Sequence, residues 1–175
     1  LLADPTDSAD VPTRRTTREG RSPTEWRTYK DSQTGVEVVQ LTNYAGDSHH
    51  FYFTNPGWYD DGRKLLFSSH RNDRTNLFGI DLITGEIEQL TDLEPVPLPR
   101  EVEFFRACKN PEREEVYFWY DLGLLAVDLA SRRTRLLHEL APGWCISMSN
   151  CSADGKRVYF GIWEDLSDKI RTDLL

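Results

Sequence analysis

Short runs of alternating apolar and polar residues, separated by turn-forming residues, make up most of the chain. The runs are rich in β-branched and aromatic side chains, which is typical of β-strands. Glycine, aspartate, asparagine and proline occupy the gaps between them. The pattern predicts strands over residues 36–42, 50–53, 64–69, 76–82 and 86–91.

The same strand-and-turn pattern returns further along the chain. The segment that ends at Phe67 recurs with modest changes before Phe118 and again before Phe160. These phenylalanines lie 51 and 42 residues apart (118 minus 67, and 160 minus 118). A repeat of about 40–50 residues with four strands per unit is typical of β-propeller blades, because one four-stranded sheet cannot bury both of its faces alone.

The predicted fold class is therefore all-β, a β-propeller. Two nearly complete blades are expected over about residues 48–92 and 102–138, and a third begins near Trp144. The run at 36–42 is expected to be the outer strand of a blade completed elsewhere. Since propellers close with roughly 4–8 blades, the chain is predicted to form an incomplete ring of about two and a half to three blades.

The N-terminal residues differ from the rest. Residues 1–21 are polar, contain Pro5 and Pro12 and show no periodicity, so they are predicted to be a flexible tail. Residues 22–175 are predicted to be the N-terminal portion of the propeller domain. The segment 22–25 is predicted to cap one short helical turn, with Glu25 at the capping-box position.

Charge and hydropathy exclude two partner classes. The net charge of −8 argues against nucleic acid, because phosphate binding needs a cationic face. No run approaches the roughly 20 apolar residues of a membrane span.

The chain does not begin with methionine, which fits either a mature product or a fragment. We expect a cytoplasmic protein, with a periplasmic or secreted location as the alternative.

The three cysteines, Cys108, Cys145 and Cys151, lack the spacing of a zinc site. Buried thiols in a reducing compartment are the expectation, and a Cys145–Cys151 disulfide is the alternative. The sequence also lacks a glycine-rich phosphate loop and a Gly-x-Ser-x-Gly nucleophile elbow.

Two adjacent histidines, His49 and His50, are predicted to lie on an apolar strand that leads into a tight turn. Neighbouring residues on a strand point to opposite faces, so at most one of them is expected to face a cleft at the ring centre. We predict that they bind substrate, with His49 preferred. The alternative is a hydrogen-bonded histidine packed between blades.

Two arginines and a tryptophan complete the candidate substrate-binding residues. Arg71 follows a strand, and its guanidinium suits a carboxylate; an ion pair with Asp73 or Asp81 is the alternative. Arg106 is predicted to lie on the inner strand of the second blade and to face the channel, with a salt bridge to an acidic neighbour as the alternative. Trp144 could stack on a sugar ring or pack between blades.

A longer stretch carries a resemblance to a known family. Residues 24–38 with Leu41-Thr42 resemble the opening of oligogalacturonate lyases, and residues 48–63, from Ser48-His49-His50 to Asp61-Gly62-Arg63, are closely similar to that family. Residues 76–78 and 81–86 are also similar. The strong resemblance covers about residues 22–92, and a weaker one continues to about residue 163.

The resemblance implies a seven-bladed propeller about twice the length of this chain. It implies cleavage of short oligogalacturonides from pectin by β-elimination, which is a carbon–oxygen lyase reaction. It also implies manganese as cofactor, with histidine and glutamine ligands and the proton-abstracting histidine beyond Leu175. The partners of this chain would then be the oligogalacturonide substrate and the remaining blades, and the chain by itself is expected to be inactive.

Two other functions compete with the lyase. The first is a non-catalytic propeller module that binds a protein or carbohydrate partner. The second is the propeller cap of a serine peptidase, which would require a nucleophile elbow that this sequence lacks.

Overall fold

The computed structural model describes residues 24–94 and 104–165, and within them it is almost entirely β-structure, with thirteen strands and one three-residue 3₁₀ helix. The chain divides into two compact units, one ending at Phe104 and the other containing residues 105–165. The all-β prediction is confirmed. The predicted tail, residues 1–21, lies outside the described residues.

The first unit contains a two-stranded hairpin and a larger antiparallel sheet. The larger sheet has the order β3-β5-β6-β7, and β4 pairs with the start of β5. The strands are β1 (Arg27–Lys30), β2 (Glu37–Gln40), β3 (Ser48–His50), β4 (Trp58–Tyr59), β5 (Lys64–Arg71), β6 (Arg74–Asp81) and β7 (Ile87–Gln89).

Apolar side chains from neighbouring strands form the core of the first unit. Phe67 of β5 lies opposite Phe78 of β6, and their ring centroids are 5.7 Å apart. Ile80 and Ile87 complete this buried cluster. Gly85 has a φ of +71°, and a Cβ there would clash with Trp26, so the hairpin segment packs closely against this turn.

The second unit contains a four-stranded antiparallel sheet and a two-stranded one. The four-stranded sheet has the order β11-β10-β9-β8, and β12 pairs with β13. The strands are β8 (Cys108–Lys109), β9 (Glu115–Tyr120), β10 (Gly123–Asp128), β11 (Thr134–Glu139), β12 (Trp144–Cys151) and β13 (Val158–Glu164).

The two sheets of the second unit pack face to face. Trp119 of β9 meets Phe160 of β13 edge to face, with ring centroids 4.8 Å apart. The Trp119 indole N–H also donates a 3.0 Å hydrogen bond to Ser149 Oγ on β12. Leu124, Ala126 and other buried side chains fill the space around them. This is the face-to-face contact expected between propeller blades, and the predicted fold class is confirmed.

Three hairpin turns share one hydrogen-bond pattern. In each, an aspartate carboxylate accepts backbone N–H bonds two or three residues on, as Asp31 does from Thr34, Asp81 from Thr84 and Asp128 from Ser131. The aspartate carbonyl then accepts the N–H four residues on. These turns connect β1 to β2, β6 to β7 and β10 to β11, so all three hairpins have equivalent geometry.

Three local predictions were wrong. The strand predicted over residues 50–53 lies earlier, at Ser48–His50, and residues 51–53 are not part of a strand. Arg106 does not lie on a strand, because Phe104–Arg106 forms the 3₁₀ helix and both Phe105 and Arg106 have positive φ. The inner strand starts two residues later, at Cys108. Thr24 and Glu25 are not helical, and the Glu25 carboxylate binds Arg71; Ser22 and Pro23 of the predicted cap lie outside the described residues.

All three cysteines are free thiols. Cys108 is buried, and burial raises the pKa of its thiol. Cys145 and Cys151 lie on the same strand and are not joined. No helix in the described part of the chain is long and apolar enough to cross a membrane.

Candidate functional site

The two histidines lie on the short strand β3, and both side chains are exposed. His49 pairs with Ser68 and His50 with Phe67 on β5. The His50 ring nitrogen Nδ1 is hydrogen-bonded to the carbonyl of Phe51. Beside them, Ser48 Oγ lies 2.9 Å from Ser69 Oγ. The strand therefore presents two imidazoles to solvent at one edge of the sheet.

Arg71 is the last residue of β5, and it is buried with only 5% of its surface exposed. Its guanidinium binds the Glu25 carboxylate through both nitrogens, Nη1 to Oε1 and Nη2 to Oε2, the latter at 3.2 Å. Its Nε donates to Ser69 Oγ at 3.0 Å. Arg71 does form an ion pair, as the alternative predicted, but its partner is Glu25 rather than Asp73 or Asp81.

An aromatic ring covers the Arg71 guanidinium. The Arg71 Cζ atom lies 4.8 Å from the centroid of Tyr44, a cation–π distance. Burial alone would raise the pKa of Glu25, but the bonds from Arg71 and from the Asn43 backbone N–H lower it below its ordinary value. The Glu25 carboxylate is therefore charged at neutral pH, and its ion pair with Arg71 holds the segment before β1 against the sheet.

The other two predicted residues belong to the second unit. Arg106 ends the 3₁₀ helix with a half-buried side chain. Trp144 begins β12 opposite Glu164 and is 39% exposed. Its ring is open to solvent, as a sugar-stacking surface requires.

A buried polar network lies near the start of β9. The Tyr117 hydroxyl donates to Glu115 at 2.7 Å and accepts from Asn110 at 2.8 Å. Arg135 of β11 binds the other oxygen of Glu115. Arg113 and Asn110 both donate to the Gly155 carbonyl at 2.9 Å. Burial and the Glu115 bond raise the pKa of Tyr117 to about 12, so it is a neutral donor and not a base.

The described residues do not form a metal site. Among residues 24–94 and 104–165, no three His, Cys, Asp or Glu side chains are close enough together to hold a metal ion.

The structure joins three of the five predicted residues in one sheet. His49 and His50 on β3 connect to Arg71 on β5 through Ser48 and Ser69, while Arg106 and Trp144 are part of the second unit. Sequence reasoning missed Glu25 and Tyr44 as the partners of Arg71. They lie 46 and 27 residues before it, so no local spacing reveals them.

The stacked antiparallel sheets and their equivalent aspartate turns define this chain as a β-propeller protein. Comparison with known proteins then gives the family. The family model for oligogalacturonate lyase matches residues 17–162, which is most of the chain. The chain belongs to the oligogalacturonate lyase family.

Individual relatives agree with this assignment. The chain is 26% identical over 153 residues to an oligogalacturonide lyase of Pectobacterium atrosepticum, covering 83% of this chain and 38% of that protein. A solved oligogalacturonate lyase in complex with manganese aligns with a TM-score of 0.67 and 26% identity, over 79% of this chain and 36% of that one.

A second solved relative supports the fold. The oligogalacturonate lyase of Vibrio parahaemolyticus aligns with a TM-score of 0.72 at 21% identity, over 86% of this chain and 40% of that one. The chain thus spans well under half the length of the relatives that it matches.

Proposed function

We propose that this chain is the N-terminal part of an oligogalacturonate lyase that cleaves short oligogalacturonides by β-elimination and so contributes to pectin degradation. The observation that carries the proposal is the family match across residues 17–162. Manganese is proposed as the cofactor of the longer protein, because a solved relative is in complex with it.

The reaction sets clear requirements. A base removes the proton on C5 of a uronate ring, next to the carboxylate, and the bond from C4 to the leaving oxygen breaks. Negative charge develops on the carboxylate as the proton leaves, so cationic groups or hydrogen-bond donors must stabilise it. Imidazole suits such a site because its pKa is close to neutrality.

We propose that four residues of this chain contact the substrate. The exposed imidazoles of His49 and His50 are accessible donors at the sheet edge. Arg106 is proposed to bind a uronate carboxylate and Trp144 to stack on a sugar ring. Arg71 would have to release Glu25 to meet a substrate carboxylate, so we assign it to the scaffold that supports β3.

The test is an elimination assay on the longer protein that contains this chain. With digalacturonate and manganese, a lyase produces a double bond conjugated to the carboxylate, and the ultraviolet absorbance rises. We expect His49→Ala or His50→Ala to raise KM, with His138→Ala as a control because it removes a histidine of β11 that is not among the proposed substrate contacts. For Trp144→Ala, the matched control is Trp163→Ala, another exposed tryptophan of the same sheet.

A flat absorbance with bound oligogalacturonide would contradict the lyase and favour a binding module. Unchanged KM in the His49→Ala, His50→Ala and Trp144→Ala variants, with normal activity, would contradict the assignment of those residues but leave the lyase intact.

A further inference from the structure

The inner strand of the first sheet, formed by β3 and β4, is interrupted by an insertion. His50 of β3 lies opposite Phe67 of β5. Eight residues later (58 minus 50), Trp58 of β4 lies opposite Leu65, only two residues away from Phe67 on β5 (67 minus 65). Six extra residues (eight minus two), residues 51–56, are therefore inserted into the inner strand, and we call them the inserted loop.

The first strands of the other sheets in the second unit have no comparable insertion within the described residues. Strand β8 pairs with β9 without a shift in register. Strand β12 advances three residues from Ile146 to Ser149 while β13 advances two, which is a shift of one residue (three minus two). The inserted loop is therefore a departure from the repeat that the packing of a blade does not require.

Both ends of the inserted loop are held in place. At its start Phe51 is buried, and the Phe51 carbonyl accepts a hydrogen bond from the His50 ring. Directly after its end, the Gly57 carbonyl accepts the Leu66 N–H at 2.8 Å. A Cβ on Gly57 would lie 2.9 Å from the Leu66 carbonyl oxygen, so glycine permits this close approach. The loop is therefore anchored to the sheet on both sides.

A tight turn forms the tip of the inserted loop. The Asn55 N–H donates a 2.7 Å hydrogen bond to the Tyr52 carbonyl, which places Phe53 and Thr54 at the two central positions of the turn. Asn55 is buried, whereas Phe53 is 78% exposed. The ring centroids of Tyr52 and Phe53 are 4.3 Å apart. Because turns favour glycine, proline, asparagine, aspartate and serine, the turn itself does not explain this aromatic pair.

We propose that Phe53, supported by Tyr52, stacks on one pyranose ring of the oligogalacturonide substrate. This subsite rests on the proposed function and adds a binding residue to it. The C–H groups on one face of a pyranose carry partial positive charge, and they suit the negative face of an aromatic ring. Stacking through that face leaves the carboxylate, at the edge of the sugar ring, accessible to cationic groups.

The place of the inserted loop in the fold favours a substrate as the occupant. Strand β3 is an end strand of its sheet, with β5 on one side of it. The blades of a propeller surround a central channel, and the first strand of each blade borders that channel. Residues inserted between β3 and β4 are therefore on the channel side of the blade, whichever blades complete the ring. Ligand sites combine aromatic side chains with a few polar groups, and here the aromatic pair directly follows the two histidines.

The His50 ring supplies a polar group at the start of the inserted loop. A carbonyl oxygen only accepts hydrogen bonds, so the bond to Phe51 places a hydrogen on Nδ1 of His50. The other ring nitrogen, Nε2, then accepts from a sugar hydroxyl when the imidazole is neutral and donates to a carboxylate when it is protonated. The loop therefore favours His50 over His49 as the polar contact of this subsite.

The test measures kcat and KM of the longer protein that contains this chain, with digalacturonate and manganese. We expect Phe53→Ala to raise KM about fivefold with little change in kcat, because it removes a contact that the substrate and the transition state share. Phe53→Trp should keep KM close to that of the unchanged protein, since it preserves an aromatic face. The matched control is Ile83→Ala, which removes another exposed apolar side chain at a turn of the same unit and should leave KM unchanged.

Thermal melts of the same variants separate substrate stacking from a structural role. We expect Phe53→Ala to melt at the temperature of the unchanged protein. If the aromatic pair instead packs against another part of the longer protein, Phe53→Ala would melt at a lower temperature with KM unchanged, and that result would overturn the subsite.

Failure of the subsite differs from failure of the proposed function. If the unchanged protein cleaves digalacturonate and Phe53→Ala has the same KM, the subsite is wrong and the lyase stands. If the unchanged protein neither binds nor cleaves digalacturonate, the proposed function is wrong and the subsite is wrong with it.

Discussion

The larger sheets of the two units share the aspartate turn of their last hairpin, but their buried charges are paired differently. In the first sheet, the buried Arg71 depends on Glu25, a residue that precedes β1 and lies outside the sheet. In the second, the buried Glu115 is bound by Arg135 and Tyr117 of the same sheet. The buried charge of the first sheet is therefore paired by the segment before β1. The buried charge of the second sheet is paired by residues of its own strands.

The largest loss of stability should come from breaking the pair between Arg71 and Glu25. Glu25→Ala leaves the Arg71 guanidinium buried without its carboxylate, so we expect a loss of about 3 kcal/mol in the unfolding free energy of the first unit. Hydrogen exchange, which resolves the two units, is the measurement. Arg71→Met is the control, because it removes the buried charge and should cost less.

Protection lost equally in both units would contradict this coupling. The coupling would also be contradicted if Glu25→Ala left the β3 and β5 amides as protected as in the unchanged protein.

The corresponding change in the second sheet should cost less. Glu115→Ala removes the acceptor of Arg135 and of the Tyr117 hydroxyl, but Asn110 still bonds that hydroxyl and the Arg135 side chain is 26% exposed. We expect a loss of about 2 kcal/mol, confined to the second unit. The double variant Glu25→Ala, Glu115→Ala should show additive losses, and a large coupling energy would rule out independent networks.

The sequence pattern was sufficient to predict the strands in which apolar and polar residues alternate. Strands such as β5 and β6 were predicted closely, since the alternation and the turns at both ends are local signals. Strand β1 was missed because all four of its residues are exposed and carry no apolar alternation. The 3₁₀ helix at Arg106 was missed because two positive φ angles on non-glycine residues leave no compositional signal.

The candidate site was harder to predict than the fold. The histidines were distinctive as adjacent polar residues on a predicted apolar strand, and the structure places them on β3 at an exposed edge of the sheet. The state of Arg71 depends on Glu25 and Tyr44, which are brought near only by folding. Such long-range pairs have no periodicity, so a single sequence does not reveal them.

A smaller effect is expected at the contact between the two sheets of the second unit. Ser149→Ala removes the acceptor of the buried Trp119 N–H, which should cost about 1 kcal/mol in chemical denaturation followed by tryptophan fluorescence. In a Trp119→Phe background the same change should cost much less, since no indole N–H is left unpaired. An equal cost in both backgrounds would show that this hydrogen bond does not contribute.

The smallest expected effect is a difference between the two sheets in how their stability depends on pH. The Thr84 backbone N–H and Arg63 lower the pKa of Asp81 to about 2, from 3.8, so its stabilising contribution is complete above about pH 4 and is lost as the pH falls toward 2. Asp128 also has a lowered pKa, chiefly through its side-chain and backbone hydrogen bonds from Ser131, with a smaller charge contribution from Arg135. Thermal melts between pH 5 and 2 are the measurement. Asp81→Asn should flatten the acid dependence of the first unit more than Asp128→Asn flattens that of the second, because the hydrogen bond and ion pair from Arg63 help to bring the pKa of Asp81 as low as about 2. Equal flattening would mean that the turn hydrogen bonds alone, and not Arg63, set the acid response, and the two sheets would then differ only in the placement of their buried charges.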